Sequence, residues 1–236
     1  GGELRRDYVA RRYGRGFWLR MAPEMLAMRL VGATRHDADA IRLFLIASSQ
    51  LGTPKQFDVD AIRDTAARFL VTLKNVYSGI FALYANFGWE PSANDPAVAV
   101  RPVLDRWILS RLADVEASVQ ASMEAFDSTT AARAIMSFVV DDLSNWYVRL
   151  SRARFYDVDG ADNRAAFATL HECLVVTTRL LAPIAPLVTD WMHRELTGTS
   201  VHLARYVREP GASTGRDLGL ERGMAEVREL ATLGRA

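Results

Sequence analysis

Among the 236 residues, the chemistry-bearing side chains concentrate between Asp141 and Tyr156. There Asn145, Arg149 and Arg152 follow one another at i, i+4 and i+7, a spacing that makes one polar stripe on a helix, with Trp146 and Leu150 at its near edge. Guanidinium forks bind phosphate oxygens, and aromatic rings beside them stack on unpaired bases, so the group suits a nucleic acid. The same residues fit plain packing equally well, with Trp146 and Tyr147 in a core and Arg149 paired to an acid on a neighbouring helix. Spacing alone leaves both readings open.

No other constellation reaches the level of a catalytic site. His36, His171, His193 and His202 stand singly, and His171 and Cys173, two apart on a helix, point away from each other. No glycine-rich phosphate loop of the Walker or dinucleotide kind is present. Asp141 and Asp142 could serve as acid and base, but adjacent acids on a helix more often form a solvated face or a cap. The catalytic assignment is therefore none, and the metal assignment is none, because His and Cys do not cluster at ligand spacing. A single cysteine also excludes an intramolecular disulfide framework, which fits a reducing, cytoplasmic setting.

Composition narrows the classes further. Half the residues are hydrophobic, enough for a sizeable core, yet no apolar run reaches the roughly 18 to 20 residues of a membrane span. The net charge of +1 conceals a division. Residues 1–36 hold eight arginines against Glu3, Asp7 and Glu24, a balance of +5, while the remainder has 21 basic and 25 acidic residues, a balance of −4. A net-acidic body binds nucleic acid only through a local patch, and it equally suits a helical protein-interaction module that packs its apolar stripes on a partner.

The elements that must position the stripe are helical. Residues 1–36 are Arg-rich and without period. From Asp37 a short apolar helix runs to the punctuation of Gly52 and Pro54. Asp58 is a good N-cap for a long helix with Val59, Ile62, Ala66, Phe69, Leu73, Val76, Ile80 and Leu83 on one stripe, ending near Asn86 to Gly88. Pro102 fits the first turn of a second long helix, striped by Leu104, Ile108, Leu112, Val115, Val119, Met123 and Phe126. Asp127 caps a third, whose stripe is Ile135, Val139, Leu143, Trp146 and Leu150. A fourth begins near Asp162, carries Phe167, Leu170, Leu174 and Leu181, and meets Pro183 and Pro186. A shorter helix closes at Gly198, Val201, Leu203 and Tyr206 read as extended, and Glu221–Leu233 reads as a last helix. The fold class expected is all-α, an antiparallel helical bundle.

Several of these segments carry a family resemblance. DLSNWYVRLSRARFY (Asp142–Tyr156), LDRWILSRL (Leu104–Leu112), FDSTTAARAI (Phe126–Ile135) and LLAPIAPLVTDWM (Leu180–Met192) resemble the anticodon-binding domain of isoleucyl-tRNA synthetase. DADAIRLFLIASS (Asp37–Ser49), RFLVTLKNVYSGIFALYA (Arg68–Ala85) and VRELATLGRA (Val227–Ala236) resemble flanking parts of that family. The order is right over roughly 200 residues, although the valyl and leucyl enzymes share this helical domain. The resemblance implies a class I aminoacyl-tRNA synthetase that activates isoleucine with ATP and transfers it to tRNA, this domain holding the anticodon stem-loop. Under it Arg149, Arg152 and Arg154 face RNA, Asn145 adds amide hydrogen bonds and Lys74 contacts a phosphate. Trp107, Trp146 and Trp191 are core or interface anchors.

The family's HIGH and KMSKS motifs are nowhere in the chain, and nothing in it fits a Rossmann or an editing domain. The expectation is a fragment, or a decayed paralogue, that is catalytically inert as it stands. ATP and Mg would belong to the full-length enzyme and not to this chain. Its partners would be tRNA, most simply the isoleucine acceptor, and the missing catalytic and editing domains in cis or trans, with no membrane and no DNA. The expected organisation is 1–36 unassigned, 37–197 the anticodon-binding bundle, and 198–236 a connection into a truncated C-terminal helical region.

Overall fold

The computed structural model describes residues 36–49, 59–85, 89–206 and 215–234. The expectations for residues 1–35, the Gly52 and Pro54 punctuation, the Asp58 cap and the Asn86–Gly88 stop lie outside the described residues. Seven helices account for most of the described chain, and no strand occurs among the described residues. They are α1 (His36–Ala47), α2 (residues 59–85), α3 (Val103–Glu124), α4 (residues 128–156), α5 (Asn163–Leu181), α6 (Pro186–Thr197) and α7 (Leu218–Leu233). His36, grouped with the irregular segment by its sequence, is the first residue of α1.

The links explain the topology. Only Ala125–Asp127 separates α3 from α4, and the Asp157–Asp162 turn separates α4 from α5, while each of these pairs packs side by side. Neighbours joined so tightly must run antiparallel. Asp127 accepts the Thr130 N–H at 2.9 Å and so caps α4, as its position suggests. Phe126, in contrast, does not join the α3 stripe: it is 86% exposed with φ at 60°, because the chain reverses there and turns the ring outward. Helix α5 is the centre of the bundle, contacting α2, α3, α4 and α6, and its Phe167, Leu170, Leu174 and Leu181 are all buried.

Two helices depart from the 3.6-residue period. α2 contains π-helical stretches at Ala66–Leu70 and Asn75–Phe81, and α4 contains one at Phe138–Val148. Bonding from i to i+5 puts an extra residue in each wide turn, so the buried face advances by one position. Leu83 and Leu150, the last members of the expected stripes, therefore lie exposed, while Tyr84 packs on the core and Tyr147, Ser151 and Phe155 are buried. Ile135, Val139, Leu143, Tyr147, Ser151 and Phe155 thus form one buried row at strict i+4 spacing.

Pro183 and Pro186 break the chain between α5 and α6, and the freed Pro183 and Ile184 carbonyls accept from Arg42 of α1 at 2.9 and 3.0 Å. The first N–H groups of α6 are capped from far away: the wholly buried Asp39 carboxylate accepts from Leu187 and Val188 at 3.3 and 2.7 Å. Gly198, at φ 75°, ends α6 in the left-handed region. Val201–Leu203 forms a 3-10 turn and not the extended run expected. Its Ser200 hydroxyl and the Val201 N–H both reach Asp190, which ties the segment back to α6 before a strand partner could be met.

Burial also sets a pH response. His193 shares a hydrogen bond with Thr178 at 2.8 Å, and His171 bonds the Leu196 carbonyl at 3.1 Å. Desolvation holds both imidazoles below the ordinary value, with Arg179 adding to the effect at His193. The unfolded chain then takes up these protons more readily. The stabilisation is complete above about pH 6.5 and is lost as pH falls from there towards the folded-state values. Thermal unfolding should give a lower Tm at pH 5.5 than at 7.5, and a His171→Asn, His193→Gln double variant should show a smaller drop. Equal slopes for the two proteins would remove these histidines as the cause.

Candidate nucleic-acid interface

Helix α4 carries the candidate stripe, and its wide turns decide which side chains reach the surface. The buried row of Leu143, Tyr147, Ser151 and Phe155 fixes one side of the helix to α3 and α5. Asn145, Arg149 and Arg152 lie opposite, all exposed, and none hydrogen-bonds or ion-pairs with another described residue. Arg149, Arg152 and Tyr156 sit within regular α-helical turns, where a spacing of three or four keeps them on one face. The structure therefore brings Asn145, Arg149 and Arg152 together. The core pairing that Arg149 could have made is made by another arginine.

That arginine is Arg154. Its guanidinium forms a bidentate pair with Asp105 of α3, Nη1 and Nη2 donating to the two carboxylate oxygens at 2.8 and 2.7 Å. The same carboxylate, 0% exposed, accepts the Tyr147 hydroxyl at 2.8 Å. Burial alone would lower the Arg154 pKa, but the Asp105 carboxylate outweighs it and the net shift is upward. The buried Tyr147 phenol is raised well above its ordinary value, by desolvation first and by Asp105 second. Arg154 is thereby set apart from the other three, its fork turned inward to lock α4 against α3.

Lys74 belongs to α2, in the Val71–Lys74 segment that packs on the wide turns of α4. Partial burial pulls its ammonium pKa down to about 8. A phosphate placed against it would favour the charged form, so such a contact would take up a proton at alkaline pH.

The three tryptophans anchor helices. Trp107 is buried in the core of α3, and Trp191 meets the Tyr77 ring edge-on at 5.3 Å. Trp146 is partly buried and donates its indole N–H to Met224 of α7 at 3.2 Å. Beside it Arg228 of α7 stands 5.3 Å from the Trp146 ring and 5.8 Å from the Trp107 ring while pairing with Asp142. Arg111 donates to Asp142 as well, at 3.2 Å, and Glu221 of α7 accepts the Ser110 hydroxyl at 2.6 Å. Asp141 accepts the Ser137 hydroxyl at 2.9 Å. The adjacent acids Asp141 and Asp142 are thus committed to their own helix and to docking α7, an arrangement that leaves no acid–base pair. Among the described residues no group of His, Cys, Asp and Glu is placed to hold a metal ion, and no helix is long and apolar enough to cross a membrane.

The chain has a counterpart among known families. Residues 105–236 match the anticodon-binding domain of tRNA ligase, and the chain belongs to that family. The particular relatives are isoleucine-tRNA ligases. That of Deinococcus radiodurans is 42% identical over 204 residues, covering 86% of this chain and 19% of the relative. That of Thermobifida fusca is 43% identical over 211 residues, covering 86% of this chain and 20% of the relative. The chain thus spans about a fifth of the length of the relatives it matches. A solved ternary complex of a leucyl enzyme, tRNA and LeuAMS from Agrobacterium radiobacter K84 is 19% identical at a TM-score of 0.49, covering 78% of this chain and 20% of that one.

Proposed function

We propose that this chain is the part of an isoleucine-tRNA ligase that holds the anticodon stem-loop of the isoleucine acceptor tRNA, through the exposed face of α4. In this reading Asn145, Arg149 and Arg152 make the contacts, Lys74 adds a phosphate contact from α2, and Arg154 keeps α4 in place. The observation that carries the reading is a contrast among arginines. Arg42, Arg101, Arg111, Arg133, Arg154, Arg164, Arg216 and Arg228 are engaged in caps and ion pairs, whereas Arg149 and Arg152 stand together in solvent. ATP-dependent activation of isoleucine and its transfer to tRNA belong to the rest of such an enzyme, in the cytoplasm, and ATP and Mg bind there.

Filter-binding titration against an isoleucine-tRNA transcript and an anticodon-swapped version, at two salt concentrations, tests this. The cognate transcript should bind more tightly, and affinity should fall as salt rises. An Arg149→Ala, Arg152→Ala variant should bind about tenfold or more weakly, with a salt slope shallower by about one unit per lost phosphate contact. Unchanged affinity in a helical double variant would remove these two residues from the interface. A second reading has its own observation: Leu218, Val227, Leu230 and Leu233 of α7 are exposed, as in a protein-interaction module. No tRNA binding at low salt by the folded chain would favour it.

A further inference from the structure

A thioether sits in the seam between α7 and the rest of the bundle. The Trp146 indole N–H donates to the Met224 sulfur at 3.2 Å, and Met224 with Leu220 makes the apolar contact of a helix that has no fully buried residue. The seam is open to solvent along one side. Met224 lines a groove of about 600 Å³ between α7 and the start of α3, together with Val103, Leu220, Gly223 and Val227. Val103 and Val227 are half exposed, and a Cβ placed on Gly223 would meet nothing, so a small solute reaches the Met224 side chain through the groove. The other described methionines are sheltered differently. Met192 of α6 is wholly buried, and Met123 and Met136 are partly buried against the core of the long helices.

We propose that Met224 is a reversible oxidation site, which a hydroperoxide converts to the sulfoxide and whose conversion loosens α7. A sulfur lone pair attacks one oxygen of hydrogen peroxide, and the S–O bond forms as the O–O bond breaks. The departing hydroxide takes the proton left on the transferred oxygen and leaves as water, so the sulfur gives up two electrons and the peroxide gains them. A flexible apolar side chain thereby becomes a polar one, larger by an oxygen, and such a group disrupts a contact built on methionine packing. The effect falls on α7 and spares the core, because the helices beneath are buried by one another. Only Leu220 and the polar contacts, Arg228 to Asp142 and Glu221 to Ser110, then hold α7. Trp146 loses the sulfur that its indole N–H meets and becomes more exposed. The site is a property of the α7 seam and stands apart from the tRNA reading.

The test is a titration of the folded chain with hydrogen peroxide, with the gain of oxygen at each methionine followed by peptide mass spectrometry. Met224 should be oxidised before Met192. In step with it, hydrogen exchange in α7 should accelerate about tenfold, the factor that losing one partly buried side chain's packing corresponds to, while α3 and α5 stay protected. Tryptophan emission should move to longer wavelength, and Trp146→Phe should abolish that movement while keeping the faster exchange. Methionine sulfoxide reductases for the two epimers, supplied with a thiol, should restore both signals. Met224→Leu keeps an apolar side chain without the sulfur, and its α7 should ignore peroxide. Oxidation of Met224 no faster than of Met192, a Met224 sulfoxide that leaves α7 exchange unchanged, or a Met224→Leu chain that responds to peroxide as the wild type does would each overturn the proposal.

Discussion

Asp105→Ala should lower the unfolding free energy by about 3–5 kcal/mol, because it breaks a buried ion pair by removing one partner only. The carboxylate is fully buried and receives three hydrogen bonds, two from Arg154 at 2.8 and 2.7 Å and one from Tyr147 at 2.8 Å. After truncation the guanidinium keeps its charge without a counterion, and the buried Tyr147 hydroxyl has only the Ala166 carbonyl, at 3.3 Å. Replacing both partners, as Asp105→Leu with Arg154→Met, should cost less than the sum of the single changes, since neither leaves a stranded charge. Urea denaturation followed by circular dichroism measures this, and a loss below about 1 kcal/mol for Asp105→Ala would refute the locking role. Under conditions where Arg154→Ala stays folded, its RNA affinity should keep the wild-type salt slope, unlike that of Arg149→Ala with Arg152→Ala. That difference separates a residue that positions the helix from residues that meet phosphates.

Asp142→Ala should cost about 2–3 kcal/mol, in the range of hydrogen bonds to charged groups, and should release α7 from the bundle. Asp142 is nearly buried and stands between Arg111, at 3.2 Å, and Arg228. Without it two guanidinium groups face each other, with Glu221 3.7 Å from Arg111 and Asp114 2.7 Å from it as the remaining counter-charges. Helix α7 has no fully buried residue of its own, and only Leu220 and Met224 pack on the core. The Asp142 clamp is therefore a large share of what seats it. Hydrogen exchange should accelerate through α7 while α3 and α5 stay protected, and the Trp146 emission should shift to longer wavelength as Met224 and Arg228 leave it. Unchanged exchange in α7 would show that its other contacts, Leu220 and Met224 on the core and Glu221 on Ser110 and Arg111, suffice.

Features governed by neighbours within a few residues were legible from the order of amino acids. Asp127 caps α4 because its side chain reaches an N–H three residues ahead, and Gly198 ends α6 because only a residue without Cβ accepts φ of 75° at no cost. The stripes of α3 and α5 follow from a constant 3.6-residue period, and the exposed group of Asn145, Arg149 and Arg152 was found through the same short-range spacing. The family was legible too, through motifs whose order runs along the chain. The π-helical turns were not, because nothing in apolar periodicity announces an i→i+5 bond. Leu83 and Leu150 were consequently placed inside, and Tyr147, Ser151 and Phe155 were missed as the true inward row. Partner choice was equally hidden. Whether Arg149 or Arg154 finds an acid depends on Asp105, 49 residues from Arg154, and the cap of α6 comes from Asp39, 149 residues from Val188. Local sequence determines which side chains a helix displays and where it stops, because those depend on bonds within a turn. Which displayed charge is left in solvent, and which is held by another helix, was decided only when the bundle closed, because Coulomb and packing energies act between residues remote in the chain.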